Sequence, residues 1–510
     1  MTAKVMSMGI FGMKSFMVEV EADISGGKFR FDMVGLPDAA VSEAKERVQA
    51  AIKNCGYGFP FNHIVINLAP ADIKKEGSVY DLPIFIALLI AGKQLKIDTK
   101  ENAFIGELSL SGDIRPVNGV LPMVIEAKSA GIKRVYLPFA NAGEASVVDG
   151  IEVYPVINVR QLLDYFTGKE SMEPKLEIFE RHQGETADDY DFCPDFSDVM
   201  GQHAAKRALE IAAAGGHNIL MSGPPGSGKS MLAKRLPTIL PDMTFEESLE
   251  TTKLYSIAGE LRNKNGLITR RPFRSPHHTV SPVALSGGGT IPHPGELSMA
   301  HNGVLFLDEL PEFGRSTMEV MRQPIEDGEI TISRVAGTLT YPCSVMLVAA
   351  MNPCPCGYLG HSIIECTCSK SAIQKYNNRV SGPLLDRIDI QIEVPATTYE
   401  EISGNAGREE TSAEIKKRVE AARQIQLERF AGTPVTCNAK MTSVQTRQFC
   451  VLDVDAKKLI AANYDSVGIS GRTYDKVLKV ARTIADLEQY EVIRRSHLME
   501  ALNYKNIYLE

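Results

Sequence analysis

The octapeptide GPPGSGKS, Gly223 to Ser230, has the spacing GxxxxGK[ST], follows the apolar run NILMS and precedes the helical segment MLAKRL. In that strand, loop and helix setting, Gly223, Pro224, Pro225, Gly226, Ser227 and Gly228 make a loop whose backbone amides cradle phosphates. Lys229 then reaches the terminal phosphates and Ser230 holds magnesium, which is the chemistry of ATP with Mg2+. Further along, VLFLDE ends in Asp308 and Glu309 after an apolar run, so a buried strand delivers two carboxylates to its C-terminal end, where open α/β sheets bind ligands. Asp308 is expected to hold the magnesium and Glu309 to polarise the attacking water.

A second concentration of chemistry follows in MNPCPCGYLGHSIIECTCSK, residues 351 to 370, which holds Cys354, Cys356, Cys366 and Cys368 out of nine cysteines in the chain. Four thiolates suffice for a tetrahedral structural Zn2+, although the single-residue spacers are tighter than the usual pairs, and His361 offers a substitute ligand. The alternative is a reduced cysteine loop beside Asn352. An odd cysteine count argues against a disulfide framework.

These residues need elements to position them. Apolar runs HNILMSG, GVLFLDE and SVMLVAAMN alternate with helical segments between Asp198 and about Pro395, the pattern of a parallel sheet with crossover helices. Residues 1–168 mix strand-like KFRFDMV and HIVINLA with helical VSEAKERVQAAIKNCG and VLPMVIEAKSAG, an α+β domain. Residues 169–197 are acidic and unpatterned, as expected of a linker, and residues 396–510 carry the three-to-four apolar spacing of a helical domain. The expectation is an α/β multidomain protein with a P-loop core at 198–395.

Composition narrows the partners. The 510 residues are 44% hydrophobic and 23% charged, an ordinary globular balance. The longest apolar run, LPIFIALLIAG, is too short for a bilayer of about 30 Å and reads as a buried helix. The N-terminus lacks the order of a signal peptide, so a cytoplasmic location without membrane contact is expected. A net charge of -8 supplies no global attraction to nucleic acid; any DNA contact must be local.

Several segments together resemble the magnesium-chelatase-like AAA+ ATPases, in particular the ComM/YifB group: VMGQHAAKRALEIAAAGGHNILMSGPPGSGKSMLAKRLPTILP, PGELSMAHNGVLFLDELPEF, RQPIEDGEITISR, AAMNPCPCG and SGPLLDRIDI. The resemblance implies a ring, usually a hexamer, with ATP at subunit interfaces. It places Asn352 as the water-orienting sensor, Arg387 of LLDRIDI as an arginine finger reaching the neighbouring subunit's ATP, and Arg472 of GISGRTYDK as the sensor of the C-terminal lid. NLAPADIKKEGSVYDLPIFIALL and FIGELSLSGDIRPVNGVLPMVIEAKSAGIKRVYLP resemble the proteolytic domain of Lon. With the glycines aligned, Val79 stands at the nucleophile position and Leu121 at the lysine position. Ser78 sits one place away, but no lysine accompanies it, so a Lon-type fold without peptide cleavage is expected.

Two partner classes remain. ComM-like activity implies a motor on single-stranded or branched DNA, a branch-migration helicase serving recombination and natural transformation; a chelatase-like ATPase would instead remodel a protein partner. Arg270, Arg271, Arg274, His277 and His278 add local basic character, and ITISRVAGTLTYP alternates as a hairpin with Arg334 near its bend. In the helicase branch of this clade such a hairpin lines the channel, so the resemblance makes Arg334 the DNA contact.

Overall fold

The computed structural model describes residues 2–175, 194–261, 266–289, 292–334, 337–361, 363–397, 409–466 and 471–504. Most of the expected linker, residues 176–193, lies outside the described residues, as does the side chain of Arg334.

The chain forms two compact units, each with its own apolar core. The first gathers Met1–Thr186 with Phe245–Ile268 and Ser333–Thr340. Its strands are β1 (Thr2–Phe11), β2 (Lys14–Ser25), β3 (Arg30–Val34), β4 (His63–Ala69), β5 (Asn102–Phe104), the short β6 (Glu107–Leu108) and β7 (Ile114–Arg115), β8 (Arg134–Pro138) and β9 (Glu152–Val156). Seven of them make one mixed sheet in the order β3-β4-β2-β1-β5-β8-β9. β1 and β2 form a long antiparallel hairpin, from Thr2 opposite Asp23 to Phe11 opposite Lys14. The run LPIFIALLIA forms the buried helix Asp81–Ala91, which packs on β1 and β2. Its all-round apolarity suits a core helix rather than a surface one.

The second unit carries β10 (Ile219–Ser222), β11 (Phe273–Arg274), β12 (Gly287–Gly288), β13 (His293–Pro294), β14 (Val304–Leu307), β15 (Glu329–Arg334), which with β16 (Gly337–Pro342) makes a two-stranded hairpin whose tip counts with the first unit, then β17 (Met346–Met351) and β18 (Ile390–Glu393). Five strands form a parallel sheet ordered β11-β14-β17-β10-β18. β10, β14 and β17 are buried along their whole length, as their unbroken apolar runs require in a sheet covered on both faces. The C-terminal part is helical: Ser412–Arg429, Ser443–Phe449, Val454–Ser466, Gly471–Leu487 and Arg495–Asn503. Thr411 opens the first of these with a reciprocal capping box to Glu414.

The strand order explains why distant motifs meet. β17 follows β14 in the chain but lies between β14 and β10, so the C-terminal ends of β14 and β17 stand beside the loop that leaves β10. Parallel strands point all three ends the same way, and such ends are where open α/β sheets bind ligands.

Candidate active site

The loop after β10 turns through left-handed backbone at Gly226 and Gly228, with φ of 81° and 88°. A side chain there would be strained. Gly223 is required for a different reason, since a Cβ would come within 2.1 Å of the Val394 carbonyl oxygen. Pro224 is buried, Pro225 is exposed and Ser227 is buried beneath the loop. Lys229 opens the helix Lys229–Arg235, and its buried Nζ donates to the carbonyls of Gly223 at 2.7 Å and Pro224 at 2.8 Å. Burial pushes the Lys229 ammonium below its ordinary range, and the Asp308 charge opposes that shift.

Ser230 Oγ donates to Asp308 Oδ2 at 2.6 Å, joining the loop to the end of β14. Asn352, just past β17, brings Oδ1 to 3.4 Å from Lys229 Nζ. Lys229, Ser230, Asp308 and Asn352 therefore converge from three parallel strands. Glu309 sits beside them in a left-handed conformation, φ 53°, uncommon for a residue with a side chain. Its carboxylate is exposed and lies 3.5 Å from His278 Nδ1, and the His278 ring centroid is 4.0 Å from that of His277 with the planes tilted 34°. Such strain is characteristic of functional sites.

Arg387 and Arg472 stand outside this hydrogen-bond cluster among the described residues. The Arg387 guanidinium donates to the Arg322 carbonyl at 2.7 Å, the Pro383 carbonyl at 2.7 Å and the Glu326 carboxylate. Arg472 is exposed in the first turn of Gly471–Leu487. Of the expected basic loop, Arg271 is tied to the carbonyls of Pro241 and Asn302, at 2.6 and 2.8 Å, and Arg274 forms a two-pronged pair with Glu296 at 2.7 Å. Those two arginines fix β11 instead of presenting charge.

The four cysteines meet. Cys354 Sγ lies 3.3 Å from Cys356 Sγ and 3.6 Å from Cys366 Sγ, Cys356 Sγ and Cys366 Sγ are 3.6 Å apart, and the Cys368 thiol completes a group within 4.8 Å. Four sulfurs around zinc at about 2.3 Å would be about 3.8 Å apart, so the donor set fits a tetrahedral ion. The backbone N–H of Tyr358, with that of Thr367, holds the Cys356 thiol down to about 6. His361 Nδ1 instead accepts the amides of Ile363 and Ile364 at 3.1 Å, and His361 is not a member of the clustered donor set.

This loop abuts the phosphate loop, a relation the motifs alone did not reveal. A Cβ at Gly357, φ 86°, would meet Pro225 Cδ at 2.7 Å, so the cysteine loop leans directly on the phosphate loop. Gln202 was also missed: its side chain donates to the carbonyls of Pro395 at 2.8 Å and Ser227 at 3.4 Å, and its own left-handed backbone, φ 55°, starts the helix His203–Gly215. The Gly-Gln pair before a helix was the available signal.

In the first unit the positions aligned with Lon chemistry are apolar and inaccessible: Val79 is 5% exposed and Leu121 is fully buried. Ser78 Oγ donates to the Glu107 carboxylate. The carboxyl group buried next to Leu121 is Glu144, which accepts from Leu121 N at 3.3 Å, Asn141 Nδ2 at 2.7 Å and Ser256 Oγ. Among the described residues, the partner of the Ser78 hydroxyl is the Glu107 carboxylate, with no lysine or histidine hydrogen-bonded to that hydroxyl.

With the geometry in place, similarity to known proteins defines the class. Residues 195–402 match the family described as magnesium chelatase, subunit ChlI, residues 20–141 match subunit ChlI of Mg-chelatase, and residues 409–505 match the subunit's C-terminal family. The chain is 43% identical over 499 residues to the protein YifB of Escherichia coli strain K12, covering 97% of this chain and 95% of YifB. It is 42% identical over 505 residues to competence protein ComM of Haemophilus influenzae, covering 99% and 97%. An archaeal Lon protease of Methanothermobacter thermautotrophicus is 29% identical over 143 residues, 26% of this chain and 22% of the protease. The chain belongs to the magnesium-chelatase-like AAA+ ATPases of the ComM/YifB group, with a Lon-like N-terminal region. No helix among the described residues is long and apolar enough to cross a membrane.

Proposed function

We propose that this AAA+ ATPase is a DNA motor that works as a hexameric ring, a branch-migration helicase of the kind the ComM resemblance implies. The observation that carries the ATPase half is the convergence of Lys229, Ser230, Asp308 and Asn352 at neighbouring parallel strand ends. The DNA half is supported by likeness to a competence protein along nearly the whole chain. Bound Mg-ATP supplies the phosphoanhydride and a divalent charge. The loop amides and Lys229 orient the phosphates, Ser230 and Asp308 hold the cation, and Glu309 takes the proton of a water that Asn352 orients. His278, in contact with Glu309, restrains that carboxylate.

In a ring, Arg387 would exchange its carbonyl and Glu326 acceptors for the phosphate oxygens of a neighbouring copy, an interaction worth a thousandfold or more, roughly, in related phosphoryl transfer. Arg472 contributes from the lid. The cysteine cluster holds a structural Zn2+ that stiffens the loop against which Pro225 rests. Arg334, at the end of β15, is the DNA contact, with a cytoplasmic location following from that role.

The deciding experiment is ATPase activity with single-stranded, duplex and branched DNA at low salt. Stimulation and strand movement support the motor. A flat response, with stimulation by a protein partner, replaces it with the chelatase-like remodeller. Mixing Arg387→Ala with Glu309→Gln protein should restore activity through hybrid interfaces; mixed rings that stay inactive refute the trans arginine.

A further inference from the structure

Three phenylalanines crowd the outer edge of the first unit's sheet, where β3, the terminal strand among the described residues, pairs with β4. Phe59 is buried, but Phe29 and Phe61 remain 42% and 61% exposed. Their ring centroids are 5.8 Å apart with planes tilted 59°, and each ring leans on Phe59, at 6.2 and 6.0 Å with steeper tilts of 71° and 75°. The buried ring thus acts as a footing that holds two large aromatic faces in water. That arrangement forgoes about 25 cal/mol for each Å² of apolar surface left uncovered.

The helix Ala44–Asn54 adds charge to the same place. Lys45 Nζ stands 5.8 Å from the Phe29 centroid and Lys53 Nζ 5.6 Å from the Phe61 centroid. Lys45 and Lys53 stand about 12 Å apart along the helix axis at their Cα atoms, and each ring has its own cation. Lys28 and Arg30 flank Phe29 in sequence and are exposed. The acidic neighbours are few: Asp32 is taken by Arg30 at 2.8 Å and by His63 at 2.9 Å, and Glu46 reaches Lys45 only at 3.6 Å with a largely exposed side chain. An uncharged aliphatic partner would gain nothing from ammoniums fixed beside aromatic rings. A chain that alternates flat π-faces with phosphates gains from both.

We propose that Phe29 and Phe61, with Lys28, Lys45 and Lys53, form a stacking site for the bases of single-stranded nucleic acid. The site deepens the DNA reading above and rests on it. Its charge is local, as an overall charge of -8 requires, and stacking on Phe carries no sequence preference because every base has a π-face.

The test is fluorescence anisotropy with full-length protein, labelled oligo-deoxythymidine and a matched duplex, across a salt series. Phe29→Leu/Phe61→Leu keeps apolar volume and removes the faces; it should lose about tenfold or more in single-strand affinity and little for duplex. Phe29→Tyr/Phe61→Tyr should bind like the wild type, and Lys45→Gln/Lys53→Gln should flatten the salt dependence. Basal ATPase should stay within about twofold in all three, since none is a residue of the nucleotide site. Wild-type binding that the Leu variant retains in full overturns the stacking site and leaves the DNA motor standing. No wild-type binding to either DNA overturns both. A Leu variant whose affinity per copy is unchanged while its mass in light scattering falls assigns the face to contacts between copies and also overturns the site.

Discussion

Two regions of this molecule each pack helices on a sheet, mixed in the first unit and parallel in the second, and differ in what stands at their candidate functional positions. In the second unit, β10, β14 and β17 are buried to their last residues and then release Lys229, Ser230, Asp308 and Asn352 into one cluster. In the first unit, the positions that resemblance aligns with Lon chemistry hold Val79 and Leu121 inside the core. A fold kept for chemistry tolerates strained backbone and desolvated charge, as at Glu309 and Lys229. One kept for structure or binding converts those same places to packing.

The largest expected effect breaks the comparison on the catalytic side. Glu309→Gln should lower turnover about a hundredfold to ten-thousandfold while nucleotide binding persists, because only the base is lost. Lys229→Ala should weaken nucleotide binding at least about a hundredfold, since a charge-assisted contact to phosphate disappears. Filter binding and steady-state phosphate release separate the two outcomes, and wild-type turnover in the Glu309 variant would remove its assigned role.

Next in size is the cysteine loop. Protein purified without chelator should carry about one zinc per chain, and Cys354→Ser should lose it. Because Gly357 presses on Pro225, the same substitution should raise the KM for ATP severalfold. Less than about half an equivalent of zinc in the wild type returns the cluster to a reduced loop.

Glu144 sharpens the contrast from the other side, as a buried carboxyl group with structural work only. Glu144→Ala strands the donors of Asn141, Leu121 and Ser256 and should cost about 1–3 kcal/mol, read as faster hydrogen exchange in Phe245–Ala258. Burial raises the Glu144 carboxyl above its ordinary 4.5, so the folded chain binds this proton more tightly than the unfolded one. Its contribution to stability therefore falls as pH rises from 4.5 through the raised value. Glu144→Gln should lose that slope.

How much of this was legible depended on range. GPPGSGKS, VLFLDE and the strand before Asn352 were readable because each motif specifies its own local backbone, and LPIFIALLIA, too short to span a bilayer, read as the buried helix it forms. The assignment of Phe245–Ala258 to the first unit was not readable: it rests on contacts such as Gly119 N to Ser256 O at 2.9 Å, between residues far apart in sequence. The roles of Arg271 and Arg274 were hidden for the same reason. Their chemistry suits a phosphate equally well, and only the register of β11 hands them to carbonyls and to Glu296. His278 beside Glu309 and Gly357 against Pro225 likewise emerge only when separate loops fold together.

The smallest expected effect tests the quiet side of the comparison. Ser78 carries the serine hydroxyl next to the aligned Lon nucleophile position, and its Oγ donates to Glu107, a carboxylate that could accept its proton. A serine beside a carboxylate is still a poor nucleophile without a lysine or histidine to hold the proton at neutral pH, and Leu121 fills the place where such a group would stand. Ser78→Ala should therefore leave ATPase activity unchanged and cost less than about 1.5 kcal/mol, the ordinary worth of one hydrogen bond. The wild type should release no fluorescence from quenched casein. If it did, and Ser78→Ala abolished the signal, the first unit would be an enzyme after all, and its apolar filling at Val79 and Leu121 would need another explanation.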